Sequence, residues 1–221
     1  MKTRLYAVLA AATLLAGCAG SGTTQPPQSS VLPLAQAQSE TASSSLNARR
    51  NKCPAWSAGT GILNDGDFHD AMDTFVYYYA GTRFAKGWVV TKRSIEIDPS
   101  DHWPIPGPVC SIDLDGASVG GISHARFATT PSVGYTVTFL FSGNGSCGPE
   151  IKTMRVRAAG QSEILTWNLA SQGSANNGNW LTETWNFTAV GSRTKLEFTS
   201  LDRPVTSGCG PVVAAISVTQ N

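Results

Sequence analysis

Charged residues are scarce in this chain of 221 residues, and the patterns of long helices and metal sites are missing. Only 14% of the residues are charged. No stretch after the amino terminus has a long 3.6-residue apolar period, which argues against a helical bundle. No histidine stands beside a cysteine, and the cysteines are too far apart for a zinc motif. Residues 53–221 carry 11 Lys and Arg against 14 Asp and Glu, a formal charge of −3 with scattered basic residues, so we expect no nucleic-acid partner.

Glycine and proline are abundant instead, with 22 Gly and 12 Pro, as in proteins built from short strands and turns. Residues 135–141 alternate aromatic or aliphatic side chains with threonine, which predicts a strand with one buried face. Further strands are predicted at 88–97, 111–114, 122–128, 151–158, 163–168, 180–189, 195–201 and 212–219. These spacings predict an all-β sandwich formed by a single domain, residues 53–221.

The amino terminus has the order of an export signal. Lys2 and Arg4 precede an apolar run over residues 5–16, which is too short to span a bilayer. The run ends at residues 15–18, Leu-Ala-Gly-Cys, which resembles the lipobox of bacterial lipoproteins. The resemblance implies a signal peptide of residues 1–17, a diacylglycerol on the Cys18 sulfur, and a fatty acid such as palmitate on its new amino terminus.

Residues 18–52 are predicted to be the lipidated cysteine and a flexible tether. Residues 19–51 are rich in Ser, Thr, Gln, Ala and Pro and contain no aromatic residue, so they cannot form a core. Ala19 follows the cysteine where Asp would favour the inner membrane in Gram-negative sorting. We therefore expect a cell-envelope protein anchored to the outer membrane by its lipid, facing the periplasm or the surface.

Four of the five cysteines remain for disulfides once Cys18 is set aside, and they allow three pairings. Cys147 and Cys209 have matching neighbours, Ser-Cys-Gly-Pro and Gly-Cys-Gly-Pro, each just before a predicted strand. We therefore predict a Cys147–Cys209 bridge and, by elimination, a Cys53–Cys110 bridge. Two disulfides fit an exported domain.

Two patterns have the appearance of catalytic motifs. Residues 116–120, Gly-Ala-Ser-Val-Gly, match a nucleophile elbow at Ser118 with His124 nearby, but an elbow needs a helix immediately afterwards and a strand is predicted there. Asp113 and Asp115 share one face of a strand, as a glycosidase pair or a metal pair would. We expect these carboxylates to shape the turn into Gly116, or one of them to point inward and accept backbone hydrogen bonds, and we predict no enzymatic activity.

A series of short motifs runs in order from residue 62 to residue 218. The most specific is Ser-Ile-Asp-Leu-Asp-Gly at 111–116. Others are LNDGDF at 63–68, YYAG at 78–81, GWVV at 87–90, IEID at 95–98, WNFTA at 185–189 and GPV at 210–212. This order resembles the choice-of-anchor C domains of bacterial exported proteins, which look related to a domain-of-unknown-function family of plant cell-wall proteins. The resemblance implies a non-catalytic, galactose-binding-like jelly-roll sandwich that binds carbohydrate or cell wall.

Related sandwiches often hold a structural calcium through an acidic residue after the first Phe and an Asp in the last strand. Here His69 and either Ala214 or Ala215 stand at those positions. The loss of two carboxylates removes most of the charge that calcium requires. Asp65 and Asp67 remain as calcium candidates, but we expect no metal and no cofactor.

Sugar binding requires exposed aromatic rings with polar groups nearby, and two clusters meet this requirement. The first is a loop with Asp101, His102 and Trp103, in which we expect Trp103 to be the exposed platform. The second is Tyr78 within the run 77–79, together with Arg83, because strand alternation must expose at least one ring.

We therefore predict a non-catalytic, lipid-anchored envelope protein that binds polysaccharide. The alternative is a structural lipoprotein whose sandwich docks an envelope protein. A large exposed apolar patch would favour the alternative, and a groove with exposed aromatic rings would favour sugar. The sequence leaves the oligomeric state open.

Overall fold

The computed structural model describes residues 52–203 and 208–221, and strands dominate these residues. The predicted signal peptide, Cys18 and all of the predicted tether except Lys52 lie outside them. The strands, in chain order, are β1 (Val76–Tyr79), β2 (Arg83–Ala85), β3 (Trp88–Lys92), β4 (Ser94–Asp98), β5 (Ser111–Asp113), β6 (Gly121–His124), β7 (Phe127–Ala128), β8 (Gly134–Gly143), β9 (Ile151–Ala158), β10 (Gln161–Asn168), β11 (Leu181–Thr188), β12 (Arg193–Thr194), β13 (Leu196–Ser200) and β14 (Pro211–Gln220). Helix α1 (Leu169–Gln172) and a 3₁₀ turn (Ala175–Asn177) connect β10 to β11. Within the described ranges, no helix is long and apolar enough to cross a membrane.

Two six-stranded antiparallel sheets form the domain. The first sheet has the order β1-β4-β5-β14-β8-β11, and the second has the order β10-β9-β13-β6-β3-β2. Strands β7 and β12 form a separate two-stranded ribbon. The prediction of an all-β jelly-roll sandwich is confirmed.

Strand β8 shows how the sequence pattern produces the core. Tyr135, Val137 and Phe139 are buried, while Thr136 and Thr138 between them are partly exposed. The buried side chains of β8 meet those of the second sheet, as when Phe139 packs edge-on against Phe198 with ring centroids 5.1 Å apart. Alternation along the strand therefore places one face in the core, as predicted.

The single strand predicted at 88–97 is wrong, because the structure divides it between the two sheets. Strand β3 belongs to the second sheet and β4 to the first, and Arg93 stands between them with φ 38°. A left-handed backbone at one residue turns the chain out of one sheet and into the other. The sequence shows no glycine at this position, so the turn has no local signal.

Both disulfides have the predicted pairing. The Cys53–Cys110 bridge joins the start of the domain to the residue before β5, and the Cys147–Cys209 bridge joins the segment after β8 to the segment before β14. Each bridge closes a long loop, with sequence separations of 57 and 62 residues. The bridges therefore crosslink segments outside the strands, which the hydrogen bonds of the sheets do not hold together.

Loops cover part of the outer face of the first sheet. A small second core forms there, in which Val109, Leu140 and Ala214 are buried against the partly buried rings of Trp56 and Trp180. The outer surface of this sheet is thus divided into a covered centre and an exposed edge at β1. The exposed edge is where aromatic side chains reach solvent.

Candidate functional site

A line of exposed aromatic side chains runs along the edge strand β1 and the residue just before it. Phe75, Tyr77 and Tyr79 are 52%, 43% and 58% exposed, and we call these three residues the aromatic row. Alternate residues of a strand point to the same side and lie about 7 Å apart. The row therefore forms a narrow apolar platform on the outer face of the first sheet.

Tyr78 was expected to contribute to a ligand site, but it points the other way. Its ring is partly buried and stacks on Phe84, with ring centroids 5.9 Å apart. Tyr78 pairs with Ile95, and both side chains face the core. Arg83, its expected companion, lies on β2 in the second sheet. The structure exposes rings from the tyrosine run, as alternation requires, but not the ring that was singled out.

The expectation that Trp103 is an exposed platform is wrong. Trp103 is only 4% exposed. Two tight turns fold the loop back on itself, since His102 N donates to Pro99 O at 3.0 Å and Ile105 N to Trp103 O at 2.8 Å. The large apolar indole is thereby turned inward, where burial stabilises it.

The same loop brings His102 to the aromatic row. The His102 ring lies 4.4 Å from the Phe75 ring and 3.9 Å from the Trp103 ring, between centroids. His102 and Asp101 are both exposed. The loop of the first predicted cluster therefore reaches Phe75, a residue beside the tyrosine run that the sequence analysis did not select, whereas Tyr78 and Arg83 of the second cluster are not brought to it. The five consecutive aromatic and β-branched residues 75–79 gave no indication of which alternate set would face out.

A carboxylate lies beside the middle ring of the row. Glu96 on β4 stands opposite Tyr77, and its carboxylate is close enough to influence the Tyr77 hydroxyl. Burial raises the pKa of Glu96, while burial and then the Glu96 charge raise the pKa of Tyr77. The row and its neighbours thus combine exposed ring faces with a hydroxyl, a carboxylate and the His102 imidazole. These three polar groups can form hydrogen bonds with sugar hydroxyls.

Asp113 and Asp115 are completely buried, and the Asp113 carboxylate joins three segments of the chain. Asp113 accepts hydrogen bonds from the backbone N–H of Asp115 at 2.8 Å and of Gly210 at 2.9 Å, and from Asn144 Nδ2 at 3.0 Å. Burial raises the pKa of Asp113 to about 7. Asp113 thus accepts the backbone hydrogen bonds expected of an inward carboxylate, and a substrate cannot reach either carboxylate.

Ser118 and His124 make no catalytic contact with each other. Ser118 Oγ accepts a hydrogen bond from Arg93 Nη1 at 3.1 Å. The nitrogens of the buried His124 lie 2.7 Å from Ala125 O and 2.8 Å from Asn64 O. Residues 116–120 connect β5 to β6 without an intervening helix, so the elbow geometry does not form.

A groove with one indole wall lies further along the outer face of the first sheet. It encloses about 210 Å³ and is lined by Trp56, Leu140 and three hydroxyl residues, Thr138, Thr182 and Ser217. The hydroxyl residues come from three strands, β8, β11 and β14. This groove was not anticipated, because no local motif links these positions.

Comparison with known proteins places the chain in a family. A family model described as a protein of unknown function (DUF642) matches residues 61–219. The chain belongs to the DUF642 family. The predicted relation to a domain-of-unknown-function family is confirmed, and the narrower resemblance to choice-of-anchor C domains stays a prediction. No curated protein matches the sequence of this DUF642 chain.

Solved structures similar to this DUF642 domain include carbohydrate-binding modules. A family 35 module from Clostridium thermocellum is 15% identical, with a TM-score of 0.42, covering 66% of this chain and 97% of the module. A family 35 module from Paenibacillus barcinonensis is 16% identical, with a TM-score of 0.38, covering 66% and 99%. A family 61 module in complex with β-1,4-galactotriose is 13% identical, with a TM-score of 0.42, covering 74% and 100%.

The calcium candidates of this DUF642 domain do not fit a calcium ion. His69 Nδ1 lies between two carboxylates, 2.7 Å from Asp65 Oδ1 and 2.8 Å from Asp67 Oδ1. The Asp65 carboxylate also accepts the Lys86 backbone N–H at 2.9 Å, and Asp67 accepts that of Trp56 at 2.6 Å. The hydrogen bond that His69 Nδ1 donates to the Asp67 carboxylate raises the pKa of His69, which favours an imidazolium there. Calcium prefers six to eight oxygen ligands, whereas here an imidazole occupies the space between the carboxylates.

Proposed function

We propose that this protein is a non-catalytic, lipid-anchored protein of the cell envelope that binds polysaccharide through the aromatic row. The observation that carries the proposal is the line of exposed rings Phe75, Tyr77 and Tyr79. Sugar rings stack on aromatic faces, and successive units of an extended glycan can lie across successive side chains of one strand. The neighbouring Glu96 and His102 supply hydrogen-bonding groups for the hydroxyls.

Removal of the row should weaken glycan binding without unfolding the domain. We expect Tyr79→Ala to reduce affinity about tenfold, because Tyr79 is the most exposed ring of the row and the loss of a stacking ring costs more than about 1 kcal/mol. The double variant Tyr77→Ala, Tyr79→Ala should abolish detectable retention. The measurement is binding of the folded protein to an array of peptidoglycan fragments, lipopolysaccharides and plant-wall polysaccharides, followed by titration with the best ligand.

Ile164→Ala is the matched control, because Ile164 is 61% exposed on the edge strand β10 of the other sheet. It should leave the affinity unchanged. If the double variant binds like the wild type, the row is not the site, and Trp56→Ala then tests the groove of about 210 Å³. If no glycan binds the wild-type protein, the proposal fails.

Docking of an envelope protein is the second candidate, and one observation favours it. Strand β1 is an edge of its sheet and presents apolar rings, and exposed edges can accept a further strand from a partner. A protein captured from the envelope by cross-linking, and not released by soluble oligosaccharide, would support this candidate over the first.

Lipid anchoring is tested separately at Cys18. We expect the wild-type protein to sediment with membranes, because several lipid chains on one residue anchor a protein stably. We also expect its mature amino terminus to carry acyl chains. Cys18→Ser should move the protein to the soluble fraction with an intact domain. Detection of the unmodified, uncleaved wild-type chain by mass spectrometry would contradict the anchor.

A further inference from the structure

A basic cleft lies on the second sheet beside the two-stranded ribbon. It encloses about 430 Å³, and four of its lining residues are cations, Arg126, Arg157, Arg193 and Lys195. They come from β9, from β12, and from the connections on either side of the ribbon. These positions are far apart in the sequence, and only the strand order brings them together.

The positive charge of the basic cleft is mostly unbalanced. Lys195 pairs with Glu197 at 2.7 Å, and Glu197 is the one acidic residue that lines the cleft. Within residues 52–203 and 208–221, neither Arg126 nor Arg157 forms an ion pair. Three guanidinium groups therefore face one cavity in a domain whose formal charge is −3. Like charges in one place repel each other, and a bound anion removes that repulsion.

One of the arginines is held in position by the fold. Arg193 Nη2 donates to the backbone carbonyl of Arg126 at 2.7 Å. This bond leaves the other N–H groups of Arg193 for a ligand, because a guanidinium carries five donors in a planar fork. Forks of this kind bind carboxylate, sulfate and phosphate groups in pairs of parallel hydrogen bonds.

The geometry points to an acidic polysaccharide as the ligand of the basic cleft. Its volume lies within the range of small-ligand sites, about 300–1,000 Å³, which accommodates short saccharide segments and excludes a nucleic-acid duplex. Val190 is the one large apolar side chain among the lining residues, so the cleft offers little to an acyl chain. The charged groups of the sugar pair with the arginines, and the cleft forms a site separate from the aromatic row.

Binding assays with defined glycans test this inference on the full-length protein. The probes are oligogalacturonate, dextran sulfate and uncharged dextran of matched length, each at low and moderate salt. We expect both acidic glycans to bind, with affinity that falls as salt rises, and dextran not to bind. Arg157→Gln and Arg193→Gln should each reduce affinity about tenfold.

Arg155→Gln is the matched control, because Arg155 lies two residues from Arg157 on β9 and does not line the cleft. It should change the affinity less than twofold. Acidic-glycan binding should also survive in the Tyr77→Ala, Tyr79→Ala variant, which separates this inference from the proposed function. Failure of both acidic glycans to bind, or equal affinity in the two cleft variants and the control, would each overturn the inference.

Discussion

Replacement of Lys152 by methionine will lower the free energy of unfolding by about 3–5 kcal/mol at neutral pH, the typical cost of removing one partner from a buried charged network. Lys152 is completely buried. Its ammonium donates to Cys147 O at 2.9 Å and to Cys209 O at 2.5 Å. Burial lowers the pKa of Lys152, and the carboxylates of Asp202, Asp113 and Asp115 oppose this shift by favouring its charged form. Methionine fills the space but leaves these groups without their cation.

The loss of stability caused by Lys152→Met should be larger at pH 8 than at pH 5. Burial raises the pKa of Asp113 and of Asp202 to about 7, from 3.8 in the unfolded chain. Folding therefore takes up protons, and the stability of the wild-type domain should fall as pH rises from about 4 through about 7. At pH 5 both groups are protonated in the fold and need the cation less. At pH 8 they are ionised, and the variant leaves them unpaired.

Urea denaturation at pH 5, 7 and 8, with the disulfides intact, measures this effect. Lys86→Met is the matched control, because Lys86 is exposed, and it should change the stability by less than about 0.5 kcal/mol. A loss for Lys152→Met below about 1 kcal/mol, with the same pH profile as the wild type, would show that the buried cation does not stabilise the cluster.

The second large effect is expected at the Cys53–Cys110 bridge. The double variant Cys53→Ala, Cys110→Ala should lower the free energy of unfolding by about 4 kcal/mol, because a bridge across 57 residues restricts the unfolded chain by roughly that amount. Alanine avoids the burial of a hydroxyl at these two positions, which are almost inaccessible to solvent. The measurement is again urea denaturation, compared with wild type before and after treatment with dithiothreitol.

The other bridge is not a matched control, because the carbonyls of Cys147 and Cys209 bond the buried lysine. Removal of the Cys147–Cys209 bridge should therefore lower the free energy of unfolding by more than the loop-closure entropy alone accounts for. A single exposed substitution, Ser57→Ala, is the better reference and should have little effect. If the Cys53, Cys110 variant unfolds at the wild-type urea concentration, the bridge is not a source of stability.

Short sequence patterns correctly predicted those features of the fold that a few neighbouring residues determine. The alternation at 135–141 gave a strand with the correct buried face, and the matching neighbours of Cys147 and Cys209 gave the correct pair. The direction of Trp103 could not be predicted, because it depends on turns that fold its loop inward. The sequence also did not show which alternate residues of the run 75–79 would face solvent, because every side chain in that run suits a buried or an exposed face.

The basic cleft was missed because its arginines are scattered in the sequence. Arg126, Arg157 and Arg193 are separated by more than 30 residues each, and no local motif joins them. They meet because β13 pairs with both β9 and β6, and the ribbon of β7 and β12 adjoins these strands in the chain. The distribution of basic residues along the sequence therefore does not show which of them the fold brings together.

The contact between Lys152 and both half-cystines has a consequence for the order of events during export. The Cys147–Cys209 bridge holds together the two residues whose carbonyls receive the ammonium, so we expect bridge formation and burial of the charge to favour each other. Disulfides form in oxidising compartments. If the chain is exported as proposed, it crosses the inner membrane before either bridge exists, in a weakly stable form that translocation can accept. The finished domain then forms only on the far side, where oxidation closes both bridges and stabilises the fold.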